Sequence, residues 1–153
     1  MSSTDRVQRR IEINAPRQRV WRAISDSKEF SAWFLSDFDG PFTPGARVTA
    51  RSRYPGYEHL RFEIMIEKVE PMTCLSYRWH PNAIDPTVDY LKEPTTLVEF
   101  RLEDAAGGKT VLTVTETGFD ALPPARRAGA FRSNEAGWTA QVKAVEAWLG
   151  QHP

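Results

Sequence analysis

From residue 46 to residue 119 the sequence changes face at almost every position. It then ends in the one helical-period stretch long enough to cover the face so created. In 46-ARVTARSR-53, Val48, Ala50 and Ser52 share one side. In 59-HLRFEIMIEKVE-70, Leu60, Phe62, Ile64 and Ile66 share a face, with Arg61, Glu63 and Glu67 on the other. The segment 74-CLSYRWH-80 groups Leu75, Tyr77 and Trp79; 96-TLVEFRLE-103 groups Val98, Phe100 and Leu102; 110-TVLTVTETGF-119 groups Leu112, Val114 and Glu116. Period two is the mark of a half-buried strand. Turn signals at 54-YPGYE-58, Pro71-Met72 and 104-DAAGGK-109 separate several of these runs, which predicts an antiparallel meander. A sixth strand, 7-VQRRIEIN-14, carries Val7, Ile11 and Ile13 at the same period.

Helical period appears in three places. Pro16 suits the first position of a helix over 15-APRQRVWRAIS-25, where Val20, Trp21 and Ile24 share a face. Asp26 or Ser27 can cap a second short helix, 28-KEFSAWF-34, before a turn-rich stretch, 37-DFDGPFTPG-45. The last element starts near 122-LPPARR and carries Phe131, Trp138, Val142, Val145 and Leu149 as a stripe, with Gly150 placed to end it. Unbroken from Pro124 to Leu149 it would be about 39 Å long; Ser133-Asn134 is the alternative breakpoint, since both residues favour caps. Gly137, beside Trp138, marks a predicted point of close approach between this helix and a strand or a ligand.

The expected architecture is α+β: a curved six-stranded antiparallel sheet, two short helices after the first strand, and a long C-terminal helix across the apolar face. One helix seldom fills such a concavity, so a pocket between helix and sheet is expected. At 153 residues the chain is expected to form one domain over 1–153. Twenty basic residues balance twenty acidic ones, so no net positive field draws in nucleic acid or an anionic membrane. The N-terminal MSSTDRVQRR lacks the apolar core of a signal peptide, and no apolar run reaches the length of a membrane span. The expectation is a cytoplasmic protein.

The stretch 11-IEINAPRQRVWRAISDSKEFSAWF-34 resembles the start of the START-like/polyketide cyclase (SRPBCC) superfamily. It is similar to the branch named after the activator of the ninety-kilodalton heat-shock chaperone's ATPase (AHSA-like). The Pro-Gly at 44–45, 69-VEPMTCLSYRW-79, the paired strands 97-LVEFRLE-103 and 111-VLTVTETGF-119, and Gly137-Trp138 follow in the family's order. The resemblance covers nearly the whole chain and implies the helix-grip fold, a long C-terminal helix gripped by an antiparallel sheet around a cavity. It implies no reaction, because its members include chaperone co-factors, small-molecule binders and cyclases. A chaperone partner is not expected: the eukaryotic activator also uses a separate N-terminal domain, for which this chain has no room.

Glu116 is the polar residue of most interest, because its parity with Leu112 and Val114 aims a carboxylate inward. There it is costly unless paired; the readings open are an acid, a base, a ligand anchor, a structural pair with an arginine, or a location at the open strand end. Trp33, Phe62, Tyr77, Trp79, Phe100 and Trp138 are the candidate lining of an apolar cavity or, equally, its filling. His59 and His80 fall on the outer face or at strand ends without partners at ligand spacing, and Cys74 reads as a small buried hydrophobe. No metal site and no cofactor are expected. The segment 81-PNAIDPTVDYLKEP-94, long for a hairpin link, is a candidate lid carrying Ile84, Val88, Tyr90 and Leu91.

These features together read as a small-molecule binder for an apolar or amphipathic ligand. The alternatives are a cyclase-, hydrolase- or lyase-like enzyme using Glu116, and a stress- or chaperone-associated protein-binding module. A homodimer through a sheet edge or exposed aromatics is left open.

Overall fold

The computed structural model describes residues 4–153. Its strands are β1 (Arg6–Ile13), β2 (Ser36–Phe38), β3 (Arg47–Ser52), β4 (Arg61–Glu70), β5 (Cys74–Trp79), β6 (Thr96–Ala105) and β7 (Lys109–Thr117). They form one antiparallel sheet in the order β1-β7-β6-β5-β4-β3-β2. Helices α1 (Arg17–Ser25) and α2 (Ser27–Phe34) carry the chain from one edge of the sheet to the other. Helix α3 (Pro124–Gln151) is unbroken through Ser133 and Asn134 and is about 42 Å long. This is the helix-grip architecture, with seven strands rather than six. The extra strand is β2, inside the stretch read as turn-rich. Three residues are too few to show a period, and β2 exists because Ser36 and Phe38 find partners in Ser52 and Ala50 of β3.

Local chemistry sets the element ends. The Asp26 side chain accepts from the backbone N–H groups of Lys28 and Glu29, so Asp26 rather than Ser27 caps α2. Pro16 sits one residue earlier than expected, at the cap of α1 rather than inside it. Gly150 lies within the last turn of α3, which runs to Gln151 with His152 as its cap and does not end at the glycine. The β6–β7 turn places Gly107 and Gly108 at φ 75°, a conformation that L side chains resist.

In β4 the register slips between Ile66 and Lys68, opposite Tyr77 and Ser76. Such a bulge bends its strand and adds twist, curling the sheet toward α3. The inner parities place Ile64, Ile66, Leu75, Val98, Phe100, Leu112 and Val114 in the core with Val142, Val145 and Leu149 of α3.

The C-terminal end of α3 is tied down by a polar cluster. Trp148 Nε1 donates to Glu29 Oε1 at 2.9 Å, Arg19 Nη2 to the same oxygen at 2.7 Å, and Arg22 Nε to Oε2 at 2.8 Å. Arg19 Nε also donates to the His152 carbonyl at 2.9 Å. Burial works to raise the Glu29 carboxyl, but the bonds from Trp148, Arg19 and Arg22 outweigh it and hold the group below the ordinary glutamate value. Among the described residues no helix is long and apolar enough to cross a membrane.

Candidate functional site around Glu116

Strand register brings the site together. Tyr77, Val98, Glu116 and Val7 form one row across β5, β6, β7 and β1, and Trp79 stands opposite Thr96 in the next inward row. Asn134, Trp138 and Gln141 lie on one face of α3 at spacings of four and three, above these rows.

Glu116 is fully buried, at 0% exposure, yet none of the ion pairs among the described residues includes it. Its partners are four neutral donors. Trp138 Nε1 reaches Oε1 at 2.7 Å and Asn134 Nδ2 reaches the same oxygen at 2.8 Å. Trp79 Nε1 reaches Oε2 at 2.8 Å, and the Thr96 hydroxyl completes the set on Oε2. Four donors fill the lone-pair sites that two carboxylate oxygens offer. Hydrogen bonds meet the desolvation cost, while the charge keeps no cationic counterpart. Tyr77 lies in the same row with its hydroxyl buried and without a partner among the described residues. Burial, and then the neighbouring Glu116, push that hydroxyl well above the ordinary tyrosine value.

The space under α3 is filled mainly by rings. Phe30, Trp33, Phe34, Phe38, Phe42 and Phe100 pack as one cluster with centroids about 4–6 Å apart. Trp33 is locked there by its N–H bond to the Ala23 carbonyl, and neither it nor Phe100 borders open space. What remains open is a cleft of about 80 Å³, lined by Phe34, Trp79, Asn134, Gly137, Trp138 and Gln141. Phe34, Trp79 and Trp138 stand as a triangle with centroids 6.0–6.3 Å apart. Each indole N–H lies in its ring plane and points at Glu116, and both tryptophans line the cleft.

Of the sequence candidates, then, Trp79 and Trp138 border the cleft and Glu116 lies beneath it. Tyr77 is buried beside them. Phe62 packs edge-on against Trp79 from β4 and borders a different depression. Thr96, Asn134 and Gln141 belong to the site without being among those candidates. Thr96 shares the inward parity of Val98 and Phe100, and Asn134 precedes Trp138 by one helical turn, so both carried a signal.

The close approach to a strand expected as one reading of Gly137 is absent: a Cβ there would meet no protein atom within 4 Å. The glycine opens onto the cleft instead. The segment 81–94 is likewise not a lid over this cleft. Its Val88, Tyr90 and Leu91 border a groove of about 660 Å³ with Arg47, Thr49, Arg61 and Glu63 of β3 and β4. Arg126 anchors the segment, pairing with Glu93, donating to the Pro81 and Asn82 carbonyls, and lying 4.5 Å from the Tyr90 ring centroid. His80 borders the same groove, His59 is exposed, and burial raises the Cys74 thiol in a fully buried position.

The same architecture occurs in known proteins. The solved structures similar to it include protein MLL2253 from Mesorhizobium loti, at 23% identity and TM-score 0.76 over 97% of this chain and 98% of that one. DynU16, a protein in the dynemicin biosynthetic locus, is 25% identical with TM-score 0.71; the match spans 95% of this chain and 47% of that one. The Aha1 dimer from Colwellia psychrerythraea is 15% identical with TM-score 0.67, over 92% of each chain. No curated protein matches the chain. Residues 14–150, nearly its whole length, match the family described as Activator of Hsp90 ATPase homolog 1-like protein. With that match and the helix-grip fold, the chain belongs to the Activator of Hsp90 ATPase homolog 1-like family.

Proposed function

We propose that the protein binds a small apolar or amphipathic molecule at the cleft between α3 and the ends of β5–β7, with Glu116 as the polar floor beneath it. The observation that carries this reading is the junction of two features. An aromatic-walled opening is left at Gly137, and directly under it a buried carboxylate is held by Trp79, Thr96, Asn134 and Trp138. Apolar walls with a few convergent polar groups are the usual composition of a ligand site. The cleft is smaller than the roughly 300–1,000 Å³ of a typical drug-sized site, so it takes one end of a ligand and leaves the rest outside.

The enzyme alternative is less well supported. A general base needs a free lone pair within reach of the proton it takes. Both oxygens of Glu116 already hold two donors each, and Asn134 stands between Oε1 and the cleft. Glu116 therefore organises the walls rather than meeting the ligand.

The test is a ligand screen followed on the indole N–H resonances of Trp79 and Trp138, with Gly137→Leu as the blocked control. A ligand that moves both resonances in the wild type and neither in the variant supports the site. Ligands that bind both proteins equally place binding elsewhere.

A further inference from the structure

Resting on the reading of the cleft as a ligand site, we infer that the group it takes is a cationic nitrogen, an alkylated ammonium head rather than a neutral or anionic one. Charge supplies the first reason. Glu116 is buried and its partners are all neutral. None of the six residues lining the cleft carries a charge, so the field in the opening is set by that carboxylate. Of the cations nearby, Arg9 pairs with Glu135, Arg53 with Asp37 and Arg126 with Glu93. A buried charge is screened far less than a surface one, and its attraction extends across the indole layer into the cleft.

The walls supply the second reason. Phe34, Trp79 and Trp138 pack on one another and together line the cleft, and indole is the best of the side-chain rings for holding a cation. Both tryptophans donate their N–H to Glu116, which draws positive charge to the buried edge and leaves the ring faces richer in electrons. The same bonds hold the rings upright, so no reorganisation is needed when a cation arrives. Size supplies the third: about 80 Å³, with open space above Gly137, suits a compact head group whose substituent leaves through the mouth.

The experiment compares choline with 3,3-dimethylbutan-1-ol, its neutral carbon isostere, by titration on the indole N–H resonances and on tryptophan fluorescence. Choline is expected to shift the Trp79 and Trp138 resonances with an affinity at least about tenfold above that of the alcohol. Gly137→Leu should abolish the shift, and Glu116→Gln should bring the two probes within about twofold of each other. Because Glu116→Gln also perturbs the walls, Trp79→Leu serves as a second variant. It removes one indole from the cleft lining while Glu116 keeps its charge, and it should cost choline more than it costs the alcohol. Equal affinities for both probes would overturn the cationic inference and leave the ligand site standing. If neither probe moves the indoles, the inference fails; if the wider ligand screen is also silent there, the site reading fails with it.

Discussion

Replacing Glu116 by glutamine keeps the size of the side chain and removes its charge, and the hydrogen-bond geometry dictates the consequence. Each carboxylate oxygen takes two donors, Trp138 and Asn134 on Oε1, Trp79 and Thr96 on Oε2. A glutamine amide offers one acceptor oxygen and one NH2 donor. With the NH2 in the Oε2 position, Thr96 can rotate its hydroxyl to accept, but the Trp79 N–H faces another donor. With the NH2 in the Oε1 position, Asn134 can turn its own amide, but the Trp138 N–H is orphaned. Either way one indole loses its acceptor, at a cost of about 1–3 kcal/mol. The three surviving bonds fall from charge-assisted to neutral, about 1 kcal/mol each. Against that loss, the amide escapes the several-kcal/mol desolvation penalty of a buried carboxylate. Those two terms roughly cancel, leaving Glu116→Gln destabilised by about 2 kcal/mol.

The structure also says which indole is orphaned. Trp79 is half-buried whereas Trp138 is 3% exposed, so an indole N–H left without its acceptor costs less at Trp79 than at Trp138. The NH2 therefore settles toward Trp79. In the Glu116→Gln background Trp79→Phe should then cost little more, while Trp138→Phe keeps most of its wild-type cost. Urea unfolding followed by far-UV circular dichroism on the four-member cycle measures both effects. A Glu116→Gln protein as stable as the wild type, or a coupling that sits on Trp138, would refute this account of the site.

Four further outcomes are expected. Tyr77→Phe removes a buried hydroxyl that has no partner among the described residues, so it should leave stability unchanged or raise it by about 1 kcal/mol in the same unfolding assay. Gly137→Ala places a methyl in open space within a helix and should stabilise by about 0.5–1 kcal/mol; a loss of that size would mean the position is tighter than its surroundings show. The Glu29 carboxyl is held below its ordinary value of 4.5, so its contribution is complete above that pH and is lost as pH falls through the lowered native value. The stability gap between wild type and Glu29→Gln should accordingly be widest near neutrality and close on acidification. Glu93→Gln should weaken the hold of Arg126 on residues 81–94 and speed their amide hydrogen exchange, leaving β4 and β5 protected as before.

Much of the fold was legible because it rests on local periods. Alternation in β3 to β7 assigned the inner face, and with it the inward direction of Tyr77, Trp79 and Glu116. The spacing of Trp138, Val142, Val145 and Leu149 identified the helix that covers that face. Other features depend on a partner rather than on the segment itself, and these were not legible. Strand β2 exists only because β3 lies beside it, and the bulge in β4 shows only against β5.

The sequence by itself determined that a carboxylate would be buried among aromatic rings under a long helix, since side-chain parity is a property of each strand. Only the tertiary structure decided what holds that carboxylate. Its four donors lie 37, 20, 18 and 22 residues away in the chain, on β5, on β6 and on α3. Whether they meet depends on strand register and on the rotation of α3 about its axis, which no local pattern encodes. The same rotation turns Gly137 toward an opening instead of a strand, and Arg126 of α3 fixes where the 81–94 segment lies. The chemistry of the site lies in contacts between distant residues, and such contacts exist only once the chain has closed on itself.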